Sequence, residues 1–108
     1  MSLTFAALRE ANVLRCNTAF GVGSGDHLNE WTPSDWLMAT TGELGELANM
    51  LKKRLRGDDI PQIDIEHEVA DVAIYLDLLA ARLGSDLGEA VRRKFNQVSA
   101  RKNTDIRI

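Results

Sequence analysis

Apolar positions along the chain recur at helical spacing, and no alternation of apolar and polar residues runs long enough to argue for a sheet. The pattern predicts four helices. The first covers about residues 4–20, with Phe5, Leu8, Val13, Leu14 and Phe20 on or near one face. The second has a strong start signal: Thr32 fits the N-cap, Pro33 the first turn and Asp35 the third position, close to a capping box. Trp31 and Trp36 occupy the two positions of a hydrophobic staple, so they read first as a clamp on the helix start and second as an aromatic platform for a nucleobase. This helix ends near Arg56, before Gly57, and Lys52, Lys53, Arg54 and Arg56 suit the negative end of its dipole. A third helix spans about residues 62–83 and stops at Gly84. Asp86, with Glu89 three residues on, opens a fourth that closes near Arg101, and residues 103–108 form a tail.

Connections after the first loop are short, which implies antiparallel neighbours in an all-α four-helix bundle, one domain over residues 1–108. The first loop carries Gly21, Gly23 and Gly25, a spacing like that of a phosphate cradle. No strand precedes it and no Gly-Lys-Ser/Thr follows, so it reads as a flexible connector.

Charge and composition narrow the classes. Thirteen Lys and Arg against sixteen Asp and Glu leave a net charge of −3, which argues against nucleic acid as a partner. No apolar run reaches the roughly 18 residues of a membrane span, and the start lacks the features of a secretory signal. A single cysteine, Cys16, suits a reducing cytoplasm. A chain this short buries a thin core, so self-association would help it.

Two local patterns carry the chemistry. Glu43-Leu44-Gly45-Glu46-Leu47-Ala48 in the second helix and Glu68-Val69-Ala70-Asp71-Val72-Ala73 in the third both read acid, aliphatic, small, acid, aliphatic, alanine. Residues three apart share a helix face, so each pattern presents two carboxylates side by side. At about 100° per residue, both pairs flank an apolar stripe in the same way. One stripe contains Trp36, Leu37, Leu44, Leu47, Leu51 and Leu55, the other Ile65, Val69, Leu76, Leu79 and Leu83. If the stripes pack together, Glu43, Glu46, Glu68 and Asp71 converge at one edge of the core. Four unpaired anions there oppose one another's ionisation, and a hard divalent cation, Mg²⁺ or Mn²⁺, relieves the conflict. The plainer alternative is a surface role, with the acids paired to Lys53 and Arg82. A di-iron site is disfavoured, because it needs Glu-x-x-His on two helices, whereas His27 lies in a loop and His67 directly precedes Glu68.

At these residues the sequence resembles the MazG-like all-α nucleoside triphosphate pyrophosphohydrolases, a superfamily that includes dimeric dUTPases and phosphoribosyl-ATP pyrophosphohydrolases. Glu43-Leu-Gly-Glu46 matches the first half of its motif and Glu68-Val-Ala-Asp71 the second, with 21 residues between Glu46 and Glu68. The resemblance continues through Tyr75 and into Lys94-Phe-Asn96, covering about residues 30–102. It implies Mg²⁺ binding by Glu43, Glu46, Glu68 and Asp71, and substrate contacts from Lys94, Asn96 and Arg101, with Lys102 beyond them. Trp36, with Trp31 and Asn17, is a candidate for the base. The implied reaction converts a nucleoside triphosphate to the monophosphate and pyrophosphate, as nucleotide-pool house-cleaning. A phosphoribosyl-ATP substrate and a non-catalytic helical oligomerisation module are the alternatives.

The third helix also carries Ala70, Ile74, Leu78 and Ala81 opposite its stripe. A helix apolar nearly all round is covered on both faces, and with four helices the second cover is expected from another subunit. The expectation is a homodimer, with a homotetramer implied by the resemblance.

Overall fold

A computed structural model describes residues 2–108 and contains five helices: α1 (Phe5–Ala19), α2 (His27–Glu30), α3 (Pro33–Leu55), α4 (Gln62–Arg82) and α5 (Leu87–Arg101). The all-α class is as the sequence predicts. The additional element is α2, a single turn within the predicted connector.

Local chemistry sets the helix ends. Thr32 accepts from Asp35 N while the Asp35 carboxylate accepts from Thr32 N at 2.9 Å, which completes a capping box. These bonds, the backbone one foremost, hold the Asp35 carboxyl below its usual range. Gly84, at φ 71°, lets α4 end with Ser85 N bonded to Ala80 O at 2.8 Å. Asp86 caps α5 by accepting from Glu89 N.

The most extensive helix pair is α3 with α4, and α1 lies across α4 on the other side. The apolar face predicted for α1 packs only in part, through Val13 against the core and a half-buried Leu8. Phe5, Leu14 and Phe20 are exposed, and the buried residues are Asn12 and Cys16. Asn12 Nδ2 donates to Ile74 O at 2.9 Å and to Asp77 Oδ2 at 3.0 Å, and Arg9 Nε meets Asp77 Oδ1 at 3.1 Å. Asp77 is 0% exposed, so α1 is held to α4 by a buried polar strut beside the small core of Cys16, Leu28, Trp36 and Leu78. The cover over Ile74 and Leu78 therefore comes from α1 of the same chain, not from another subunit.

A different face stays open. Leu37, Leu44 and Leu51 on α3, and Val69 and Leu76 on α4 with Leu83 at its C-cap, are exposed, each series at seven-residue spacing. The α5 helix leans against α1 and α4, and among the described residues it does not touch α3. The radius of gyration is 16.5 Å, against about 13 Å for a compact chain of this size. No helix among the described residues is long and apolar enough to cross a membrane.

Candidate metal centre and adjoining cavity

Two antiparallel helices bring together three of the four predicted acids. Glu43 from α3 and Glu68 and Asp71 from α4 each offer a carboxylate oxygen, and these atoms lie within 4.8 Å of one another. All three are half-buried, whereas Glu46 is exposed and stands outside the trio. Glu46 is still close enough to act on Glu43 through its charge.

The electrostatics of the cluster show strain of one sign. Burial first, then the charge of Glu46, a hydrogen bond with Glu68 and the charges of Asp71 and Glu68, push the Glu43 carboxyl up to about 7. Glu68 Oε2 is buried with no hydrogen-bond partner. Among the described residues none of these acids has an ion-pair partner, and Arg82 instead donates to Trp31 O at 2.8 Å. The surface-pair alternative with Arg82 is therefore not what the fold builds. An orphaned carboxylate oxygen among three converging acids fits a hard divalent cation, which favours all-oxygen ligands.

Asp71 also lines a cavity of about 660 Å³ enclosed by α1, α2, α3 and α4. Phe20, Trp31, Trp36 and Tyr75 give part of its wall an aromatic character. Trp31 and Trp36 have ring centroids 4.6 Å apart, as their staple positions require, and His27 packs edge-on to both at 5.0 and 5.5 Å. Trp36 is 2% exposed, its Nε1 donates to Leu28 O at 2.9 Å, and Tyr75 lies 6.3 Å from it. The tryptophans thus act as both staple and cavity wall. Burial, and then the charges of Glu43 and Asp71, raise the Tyr75 hydroxyl, while Arg15 draws it down. A Cβ at Gly21 would sit 2.8 Å from the His27 ring, so the glycine lets the connector close over that side chain.

The residues on α5 lie elsewhere. Lys94 Nζ reaches Gln97 Oε1 at 3.3 Å, Arg101 is exposed, and Asn96 binds the tail, donating to Ile108 O at 3.1 Å and accepting from Ile108 N at 3.0 Å. Asn17 accepts from Leu28 N at 2.9 Å and so anchors α2. Sequence reasoning missed Arg15, His27 and Glu30 as cavity residues, because only the tertiary fold assembles them there.

Over 71 residues the chain is 38% identical to dCTP pyrophosphatase 1 of Homo sapiens, a match covering 59% of this chain and 42% of that protein. The dCTP pyrophosphatase 1 of Rattus norvegicus gives 37% over the same length. Gene 37 protein of Mycobacterium phage L5 is 35% identical over 95 residues, which is 83% of each chain. The chain spans less than half the length of the mammalian relatives it matches. No family model matches it, and no solved structure does.

Proposed function

The chain belongs to the MazG-like all-α nucleoside triphosphate pyrophosphohydrolase superfamily, and on that premise we propose that it converts a (d)NTP to the (d)NMP and pyrophosphate with the help of a divalent metal. The observation that carries this reading is the dual position of Asp71, which belongs to the acid trio and also lines the aromatic cavity. A nucleoside stacked on Trp31 and Trp36 would direct its phosphates toward the acids. Stacking of this kind contributes about 1–3 kcal/mol per base.

Glu43, Glu68 and Asp71 would hold Mg²⁺ or Mn²⁺, with Glu46 at the edge of the site. Such an ion supplies charge neutralisation at the phosphates and acidifies the attacking water. Glu43, held up to about 7 by burial and its acidic neighbours, would give up its proton to bind the ion. Arg15 brings positive charge to the same side of the cavity, near Tyr75.

The protein would act as a homodimer or homotetramer. The protomer exposes 7650 Å², against about 6000 Å² for a compact monomer of its mass, and the excess includes the leucine and valine series on α3 and α4. Lys94, Asn96 and Arg101 belong to neither the acid trio nor the cavity wall of their own chain, and would serve the site of a second copy. Net acidity and the one buried cysteine fit a cytoplasmic enzyme of nucleotide pools, without nucleic acid or membrane as partner.

Pyrophosphate release from a panel of dNTPs and phosphoribosyl-ATP tests the proposal, run with and without Mg²⁺ and repeated on Glu68→Gln. Metal-dependent release from a dNTP, abolished in the variant, is expected. Release that survives either change contradicts it.

A further inference from the structure

The two ends of the cavity differ in hydrogen-bonding character. Several donors in its wall are already engaged inside the protein. Trp36 Nε1 bonds to Leu28 O, and Asn12 Nδ2 bonds to Ile74 O and Asp77. Arg15, Tyr75 and the Trp31 indole are the donors that remain, and Tyr75 lies one helical turn along α4 from Asp71.

Acceptors mark the α2 end. His27 Nδ1 lies 3.3 Å from Glu30 Oε2, and both residues line the cavity. Among the described residues no donor meets the other oxygen of Glu30. The His27 ring is fixed between the two tryptophans and the Gly21 backbone, so it holds Glu30 in place. A base stacked on Trp31 would therefore meet an accepting edge at this end.

We propose that Glu30, positioned by His27, is a specificity-determining residue whose carboxylate accepts a hydrogen bond from an exocyclic amino group of the base. The site then favours an amino-bearing base such as cytosine over its carbonyl counterpart uracil, which would set one acceptor against another. This inference rests on the reading of the cavity as a nucleoside site. A hydrogen bond to a charged group changes affinity roughly tenfold or more.

The test measures kcat/KM for dCTP and dUTP with the full chain in Mg²⁺, for wild type, Glu30→Gln and Glu30→Ala. Wild type should prefer dCTP. Both variants should reduce that preference roughly tenfold or more, chiefly through KM for dCTP, with dUTP little changed. A preference for dUTP in wild type, or an equal loss on both nucleotides, overturns the role of Glu30 and leaves the enzymatic reading standing. If wild type turns over neither nucleotide, the wider dNTP panel decides the enzymatic reading, and calorimetric binding of dCMP against dUMP by the same three proteins decides the inference. Preferential dCMP binding that Glu30→Gln abolishes supports it, and equal binding overturns it.

Discussion

Glu43 and Glu68 face each other across the α3–α4 interface with carboxylate oxygens within 4.8 Å, and one carries a raised pKa while the other buries an unpartnered oxygen. Like charges held this closely are stable only if a proton or a cation lies between them. The pair therefore links protonation, metal binding and stability.

Metal binding should release a proton in a pH-dependent way. Glu43 is raised from its ordinary 4.5 to about 7, so the folded protein holds more protons than the unfolded chain between those values. By linkage, its contribution to stability declines as pH rises from about 4.5 to about 7. A cation must displace that proton, so Mg²⁺ or Mn²⁺ affinity should rise over the same window and level off above it. Calorimetry at pH 6 in two buffers of different ionisation enthalpy should detect proton release that disappears by pH 8.

The Asp77 strut should matter for stability. Asp77→Ala removes a fully buried carboxylate, leaves Arg9 without its partner and leaves the Asn12 amide with Ile74 O alone. The expected loss is about 3 kcal/mol in urea unfolding, with α1 detaching first. Exposed Asp105→Ala should change stability by less than about 0.5 kcal/mol.

Trp31 should contribute more to nucleotide binding than to the fold. It is half-buried, against the near-complete burial of Trp36. Trp31→Ala is expected to raise KM for the nucleotide about tenfold while the far-ultraviolet circular dichroism stays helical. An unchanged KM would place the base elsewhere.

The leucine series predicts association. Leu44→Glu with Leu76→Glu places charge on the open α3–α4 face without entering the core. Sedimentation should show wild type as a dimer or tetramer at micromolar concentration and the double variant as a monomer. A monomeric wild type would require another explanation for the exposed surface.

Local signals explain why the helix ends were legible. Thr32, Pro33 and Asp35 specify the start of α3, and Gly84 the end of α4, through contacts within a few residues. The acid pairs were legible for the same reason, since spacing fixes which side chains share a helix face. Single-turn α2 lay between glycines with no apolar period to announce it. Part of the packed face of α1 was hidden because its contacts are polar: Asn12 and Arg9 read as surface residues until Asp77, 65 and 68 positions away, receives them. Glu46 shows the limit of wheel geometry, which gives direction around the helix but not the distance to a facing helix. The His27–Glu30 pair and Arg15 become a cavity wall only after α1, α2 and α4 have packed.

The central claim, that water attacks the α-phosphate at the Glu43–Glu68–Asp71 cluster, is tested most directly by turnover of dCTP in ¹⁸O-enriched water with Mg²⁺. The products are read by phosphorus NMR and mass spectrometry. The account predicts dCMP carrying one ¹⁸O and unlabelled pyrophosphate, with no turnover in Glu68→Gln. Label in pyrophosphate or in inorganic phosphate, or turnover without the metal, would contradict it.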